Sequence, residues 1–428
     1  MFTILPYIKK QPYLVLVVFG LIVWLNPDTF FWRDDWLYLS FYYQKQFALF
    51  NNHLAFEIKP LFQYFFFLEF LVMKSFMMGY QIINSLLLVG CSIYLYRVLL
   101  SFSIHKNAAL ISAFLFVIHP VQFVNALWIF QQCELIHLLL LIASILYFKQ
   151  YMETSTNSSL VRFGCCLFFQ NYFFPNGLFY PVLFLIAYLG LKSKKSVDFK
   201  FLVIVVLILA THLAHALYIQ SRLVLEGGAL TSHVKIKILY FFKIISISIW
   251  RVFIPNFSPN HSFLVTVAPL IACGFFIAIA YKKIVDIGIK ELIFLSLMGM
   301  FFSSILLTMT RFNQPEVHYY YSALHFPYLF MLLSILVHYY VSFKKIAFKL
   351  IAVVMIGLLI VADFKGKRAF SYRNKLNAER MQVALKSNQY KPYDDPCFSI
   401  PHYFQLEGHA EQESAVILYR SLKKGKEQ

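Results

Sequence analysis

Residues 80–100, 201–219 and 292–310 each run for about twenty positions with almost no charge. In hydrocarbon no water is present to satisfy backbone N–H and C=O groups, so such a run must pair them internally as a helix. Further apolar runs lie at 13–25, 107–118, 133–148, 161–174, 177–191, 263–280, 323–341 and 350–362. Together they predict an all-α polytopic membrane protein of about eleven transmembrane helices. Composition agrees: 14% of residues are charged and 60% hydrophobic, where soluble domains average about 25% charged.

Basic residues orient the runs. Lys9 and Lys10 precede the first one, and Lys192, Lys194, Lys195, Lys282, Lys283, Lys344 and Lys345 mark later loops. The positive-inside rule therefore puts the N-terminus in the cytoplasm and the loop after the first span outside. No small-residue cleavage site follows the first run, so it is expected to stay as a span. Residues 237–253, with Lys237, Lys243 and Arg251, would have both ends outside, which predicts a helix lying in the interface. The first outer loop, about 27–78, mixes charge with dense aromatics and predicts further interfacial helices, one opening at Pro60. Residues 1–363 form the membrane domain on this reading. Residues 364–428 form a small polar tail, placed outside although Lys365, Lys367 and Arg368 follow the last span.

Net charge is +18. No polar basic domain exists to carry a nucleic-acid site, so the excess is assigned to loops that face anionic membrane lipids. The six cysteines form no Cys-x-x-Cys pair and no His/Cys cluster of metal-ligand spacing. Asn256-Phe257-Ser258 and Asn260-His261-Ser262 match the glycosylation acceptor pattern, a motif too short to weigh much.

The stretch from Phe30 to Tyr38 stands apart. Asp34 and Asp35 sit between Trp32 and Trp36, and carboxylates beside hydrocarbon are costly enough to be kept for function by default. The plain alternative is a hydrated interfacial loop. Two adjacent carboxylates repel, which raises one pKa and suits it to act as a base near neutral pH.

An acid pair just after the first span resembles the GT-C superfamily of polyprenyl-phosphate-sugar-dependent glycosyltransferases. Lys59-Pro60-Leu61, Gly79, Asn84 and the apolar run 86–100 resemble the segment preceding the second span in that group. Residues 114–148, with His119-Pro120 and Glu134-Leu135, are similar to a block of the transmembrane O-mannosyltransferases that carry tetratricopeptide repeats. Glu316-Val317-His318-Tyr319-Tyr320 resembles the opening of one of their late spans. The family's Arg-x-Glu is Gln132-Cys133-Glu134 here, its Ser-Lys-Glu is Gln170-Asn171-Tyr172, its Arg after Glu316 is Val317, and no repeat array follows.

The resemblance implies a GT-C-like bundle that moves a sugar from a lipid-phosphate-linked donor to a hydroxyl acceptor. Asp34 would be the base, and Asp35 would orient the acceptor or, where one is used, a divalent cation, Mg or Mn. Leaving phosphate needs pH-independent positive charge, which Lys59, Arg311, His318 and Arg251 would supply from the outer side. His119, Glu134, Glu316 and Tyr319 match family positions and would contact substrate. For Lys59 and Arg311 the competing role is snorkelling to headgroups; for His119 it is a satisfied histidine at a proline-terminated helix end. His53, His212, His215, His261 and His325 are assigned to packing or interface, and Tyr64 to Phe67 to core or lipid contact. The expected setting is the plasma membrane of a bacterium, with chemistry on the outer face. Two rival classes remain: a flippase or transporter for a lipid-linked saccharide, for which Glu69 is the residue to inspect, and a non-catalytic assembly protein of the same fold.

Overall fold

The computed structural model describes residues 11–25, 59–74, 76–174, 179–191, 198–225, 238–253, 284–311 and 324–342, with single positions at 270, 271, 274, 281, 357 and 361. Every described element is helical. The expected span 263–280, the last span and the tail at 364–428 lie outside the described residues, apart from those single positions.

The helices are α1 (Pro12–Trp24), α2 (Pro60–Met73), α3 (Met77–Ser101), α4 (Lys106–Ile118), the short α5 (Phe123–Leu127), α6 (Gln132–Thr154) and α7 (Asn157–Phe173). They continue as α8 (Tyr180–Leu191), α9 (Phe199–Leu225), α10 (Ile238–Phe253), α11 (Ile287–Arg311) and α12 (Phe326–Ser342). Proline opens α1 and α2, where its missing N–H costs nothing. Among the described residues, four helices are long and apolar enough to cross a membrane: Met78–Ser101, Gln132–Thr154, Phe199–Ile219 and Ile287–Ile305. Of the third window only 17% is buried against protein, so Val206, Leu207, Leu213 and Leu217 project outward as a hydrocarbon surface that lipid must cover.

Packing is centred on α6, which runs between α3, parallel to it, and α7, antiparallel to it. Cys91 of α3 meets Leu135 in the first turn of α6, and Lys149, near the end of α6, lies over Phe102 at the end of α3. α1 lies against α3 at Gly20, where a Cβ would overlap Val89; small residues let membrane helices approach closely. α4 pairs with α12: Phe116 meets Phe330 edge-on at 5.4 Å, and His105 N–H donates to His338 Nδ1 at 2.9 Å. Phe148, Phe163, Phe184, Tyr188 and Phe201 lock α6, α7, α8 and α9 together, with Tyr188 stacked on Phe201 at 4.2 Å.

The two ends differ in kind. At one, charge is paired: Lys149 bridges Glu291 at 2.7 Å and Glu153 at 3.1 Å, and the Tyr151 hydroxyl donates to Asp198. At the other, Trp24 Nε1 donates to the Val117 carbonyl, tying α1 to the end of α4. Two helices lie across this second end instead of running along the bundle. In α2, Lys59 meets Cys133 of α6, Phe65 meets Phe173 of α7, and Phe66 meets Tyr80 of α3. In α10, Phe241 touches Phe301, Ser248 touches His325, and the Val252 carbonyl touches His119. Phe301 and Ser304 are one turn apart on α11, and His325 meets Ser304, whereas Phe241 to Val252 covers about 16 Å of helix. So α10 crosses the ends of its neighbours.

Gly299 of α11 faces the fully buried Tyr328 ring of α12, and a Cβ there would overlap three of its ring atoms. Tyr328 is hemmed in by Tyr180 and cannot swing aside. Gly299→Ala is expected to cost about 1–3 kcal/mol and to lower the thermal unfolding midpoint of detergent-purified protein, while Gly274→Ala, with nothing within 4 Å, leaves it unchanged.

Candidate functional site

Burying a polar side chain costs free energy unless it finds a partner, yet the Trp24 end of the bundle concentrates them. α2 contributes Gln63 and Glu69, and the start of α3 gives Gln81, Asn84 and Ser85. The connection between α4 and α6 adds His119, Gln122, Asn125 and Gln131. Gln132, Glu134 and His137 come from α6, Gln170 and Asn171 from the last turn of α7, and Arg251 from α10; all are buried.

Part of this polarity builds the connection itself. Asn84 Nδ2 donates to the carbonyls of Asn125 at 3.2 Å and Trp128 at 3.0 Å, and Asn125 Nδ2 donates to Gln122 Oε1 at 3.0 Å. His119 Nδ1 accepts from the Val121 N–H at 3.2 Å, which leaves Nε2–H to donate to the Val252 carbonyl at 2.9 Å. Burial holds its pKa down at about 4, against the opposing pull of that carbonyl. His119 is thus a neutral clamp between α10 and the end of α4, with both nitrogens engaged.

A second group surrounds Lys59, the residue before α2. Its Nζ donates to Cys133 Sγ at 3.5 Å and lies 4.8 Å from the centroid of the Phe174 ring. Next to Cys133, with the Gln131 amide nitrogen turned toward it, the Glu134 carboxylate accepts from Gln131 at 2.8 and 3.1 Å. A cation and a carboxylate, contributed by α2 and α6, therefore sit on successive residues of one helix start.

Glu69 is built differently. α2 is apolar on both faces: Tyr64, Leu68, Leu71 and Val72 project outward, while Gln63 and Glu69 turn inward among the buried Phe62, Phe66 and Phe70. Neither Glu69 oxygen has a hydrogen-bond partner. Burial pushes its carboxyl up to about 8, and the nearby Gln132 amide pulls the other way.

Of the residues singled out by sequence, Lys59, His119, Glu134 and Arg251 gather at this end. Arg311 closes α11 at the same end, though its side chain lies outside the described residues. Asp34 and Asp35, the pair that would hold a divalent cation, lie outside them too. Glu316, His318 and Tyr319 likewise fall outside, in the connection between α11 and α12. Cys133, Gln131, Gln132, His137 and Gln170 were not singled out as site residues. They are neutral side chains in largely apolar surroundings, and only the replacement of the family's Arg by Gln132 and of its Ser by Gln170 hinted at them. No family model matches the chain, and no curated protein is detectably similar to it.

Because the folded state raises the Glu69 pKa from 4.5 to about 8, the native protein holds a proton there that the unfolded chain releases. Its stability then falls as pH rises through that interval and levels off above it. Glu69→Gln is expected to remove this slope. Its unfolding midpoint in detergent equals wild type near pH 4.5 and exceeds it increasingly toward pH 8; parallel profiles would place the carboxyl in water.

Proposed function

We propose that the chain is an inverting membrane glycosyltransferase of the GT-C type, with about eleven spans, which transfers a sugar from a polyprenyl phosphate to a hydroxyl acceptor. The observation that carries the proposal is the convergence of Lys59, Glu134 and Arg251 from α2, α6 and α10 on one end of a lipid-exposed bundle. To that same end α1 delivers the chain at Leu25, nine residues before Asp34. A helix lying across the bundle end, apolar outward and carrying Gln63 and Glu69 inward among aromatic rings, suits a site that takes a lipid-linked substrate.

In the proposed step the acceptor oxygen attacks the anomeric carbon, and its proton passes to Asp34. The bond between that carbon and the phosphate oxygen breaks, and polyprenyl phosphate leaves with the electron pair. Lys59 and Arg311 hold the phosphate as charge builds on it, with His318 and Arg251 beside them. Asp35 orients the acceptor, and Glu134, Glu316 and Tyr319 contact the substrates. His119 acts at one remove, by fixing α10. The membrane is assigned to a bacterial cell envelope, with the reaction on its outer face.

Translocation of a lipid-linked saccharide is the second reading, and Glu69 favours it, since transporters keep ionisable groups inside their helices. One experiment separates the two. Purified protein in lipid vesicles is given undecaprenyl phosphate carrying mannose, glucose or N-acetylglucosamine, together with its membrane extract as acceptor. Asp34→Asn is expected to lower sugar transfer by about 10²-fold or more, and Lys59→Met by about tenfold, with unfolding midpoints unchanged. Undiminished transfer in Asp34→Asn, or carrier movement across the bilayer without transfer, contradicts the enzyme.

A further inference from the structure

Three buried groups at the polar end are not used by the connection or by Lys59. His137 Nδ1 donates to the Gln170 carbonyl at 3.2 Å, which makes Nε2 an acceptor, and Nε2 has no partner. Both side-chain atoms of the Gln170 amide and Oδ1 of Asn171 are also without partners. His137 and Gln170 are fully buried and Asn171 nearly so. Aromatic rings flank the imidazole, Phe174 at 5.8 Å edge-on and Tyr180 at 5.6 Å.

Natural proteins leave few such atoms unpaired, because each costs the full desolvation penalty. Neutral amides and a neutral imidazole offer donors and acceptors but no charge, and rings supply flat apolar faces. That combination matches a polyhydroxylated ring, whose hydroxyls both give and take hydrogen bonds and whose C–H faces stack on aromatics. Phosphate and carboxylate would instead call for Arg, Lys or main-chain N–H groups.

The position fixes the partner. Cys133 and His137 are four residues apart on α6 and so occupy one face, about 5–6 Å apart. Lys59 sits on Cys133, and the Phe174 ring that it covers is the ring that flanks His137. A cation and a neutral hydrogen-bonding group are thus spaced as the phosphate and the ring of a glycosyl phosphate are. We propose that His137, Gln170 and Asn171, with Phe174 and Tyr180, bind the sugar ring of the lipid-linked donor whose phosphate lies at Lys59. This rests on the glycosyltransferase reading and adds its donor-sugar pocket.

The test compares binding of undecaprenyl phosphate, bare or carrying mannose, glucose or N-acetylglucosamine, to full-length protein in detergent. For Gln170→Leu and His137→Phe, affinity for a sugar-bearing carrier is expected to fall about tenfold, the effect of losing one or two hydrogen bonds, with affinity for the bare carrier unchanged. Gln170→Leu removes unpaired polar atoms, so its unfolding midpoint is expected to equal or exceed that of wild type, a trade of stability for function. Equal weakening of both carriers, or weakening of neither, overturns the assignment. Wild-type protein that binds bare and sugar-bearing carriers equally removes the sugar pocket alone. Failure to bind any carrier removes the glycosyltransferase reading with it.

Discussion

A buried amide, imidazole or carboxylate without a partner costs about 1–3 kcal/mol, and this bundle holds several on one level. Some other buried polar groups are fully paired. Ser248 and Ser304 satisfy the two nitrogens of the buried His325 at 3.1 and 2.8 Å, and the Lys149 ion pairs close the opposite end. Glu69, Gln132, His137 and Gln170 have side-chain atoms without partners and lie together at the end where α2 and Lys59 sit. Clustered cost of this kind marks sites where function is retained at the expense of stability.

The scaffold explains how the cost is borne. α6 is held on both sides by α3 and α7, and the Phe148, Phe163, Phe184, Tyr188 and Phe201 cluster sets the far ends of four helices. With those ends fixed, the first turn of α6 presents Gln132, Cys133 and Glu134 in a defined register. α2 and α10 then lie across the polar end as two short bars, joined to it by Lys59 and by the His119 clamp.

Much of the helical layout is written in the apolar runs. Residues 80–100 and 292–310 lie within Met77–Ser101 and Ile287–Arg311, and 201–219 within Phe199–Leu225. The run 133–148 stops short of Thr154 because Lys149 and Glu153 look like a loop by hydropathy. As an i,i+4 ion pair joined by Glu291, they instead prolong the helix. Pro60 signalled the start of α2 correctly. Basic side chains at Lys243 and Arg251 made α10 recognisable as something other than a plain span. The site was less legible: charge drew attention to Lys59, Glu134 and Arg251, but hydropathy treats His137, Gln170 and Asn171 as interruptions of an apolar run. Only packing reveals that His137 meets the Gln170 carbonyl and the Phe174 ring. His119 was read as contacting substrate or capping a helix end, and its two backbone bonds describe the second.

The central claim is that a lipid-linked sugar phosphate is bound at the end where α2 lies across the bundle. The most direct measurement is an electron cryomicroscopy structure of the protein in a lipid nanodisc with undecaprenyl phosphate-mannose. The prediction is phosphate density against Lys59, the sugar toward His137 and Gln170, and Asp34 within reach of the anomeric carbon. Phosphate at the Lys149 and Glu291 end, or Asp34 turned to bulk solvent away from Lys59, would contradict it.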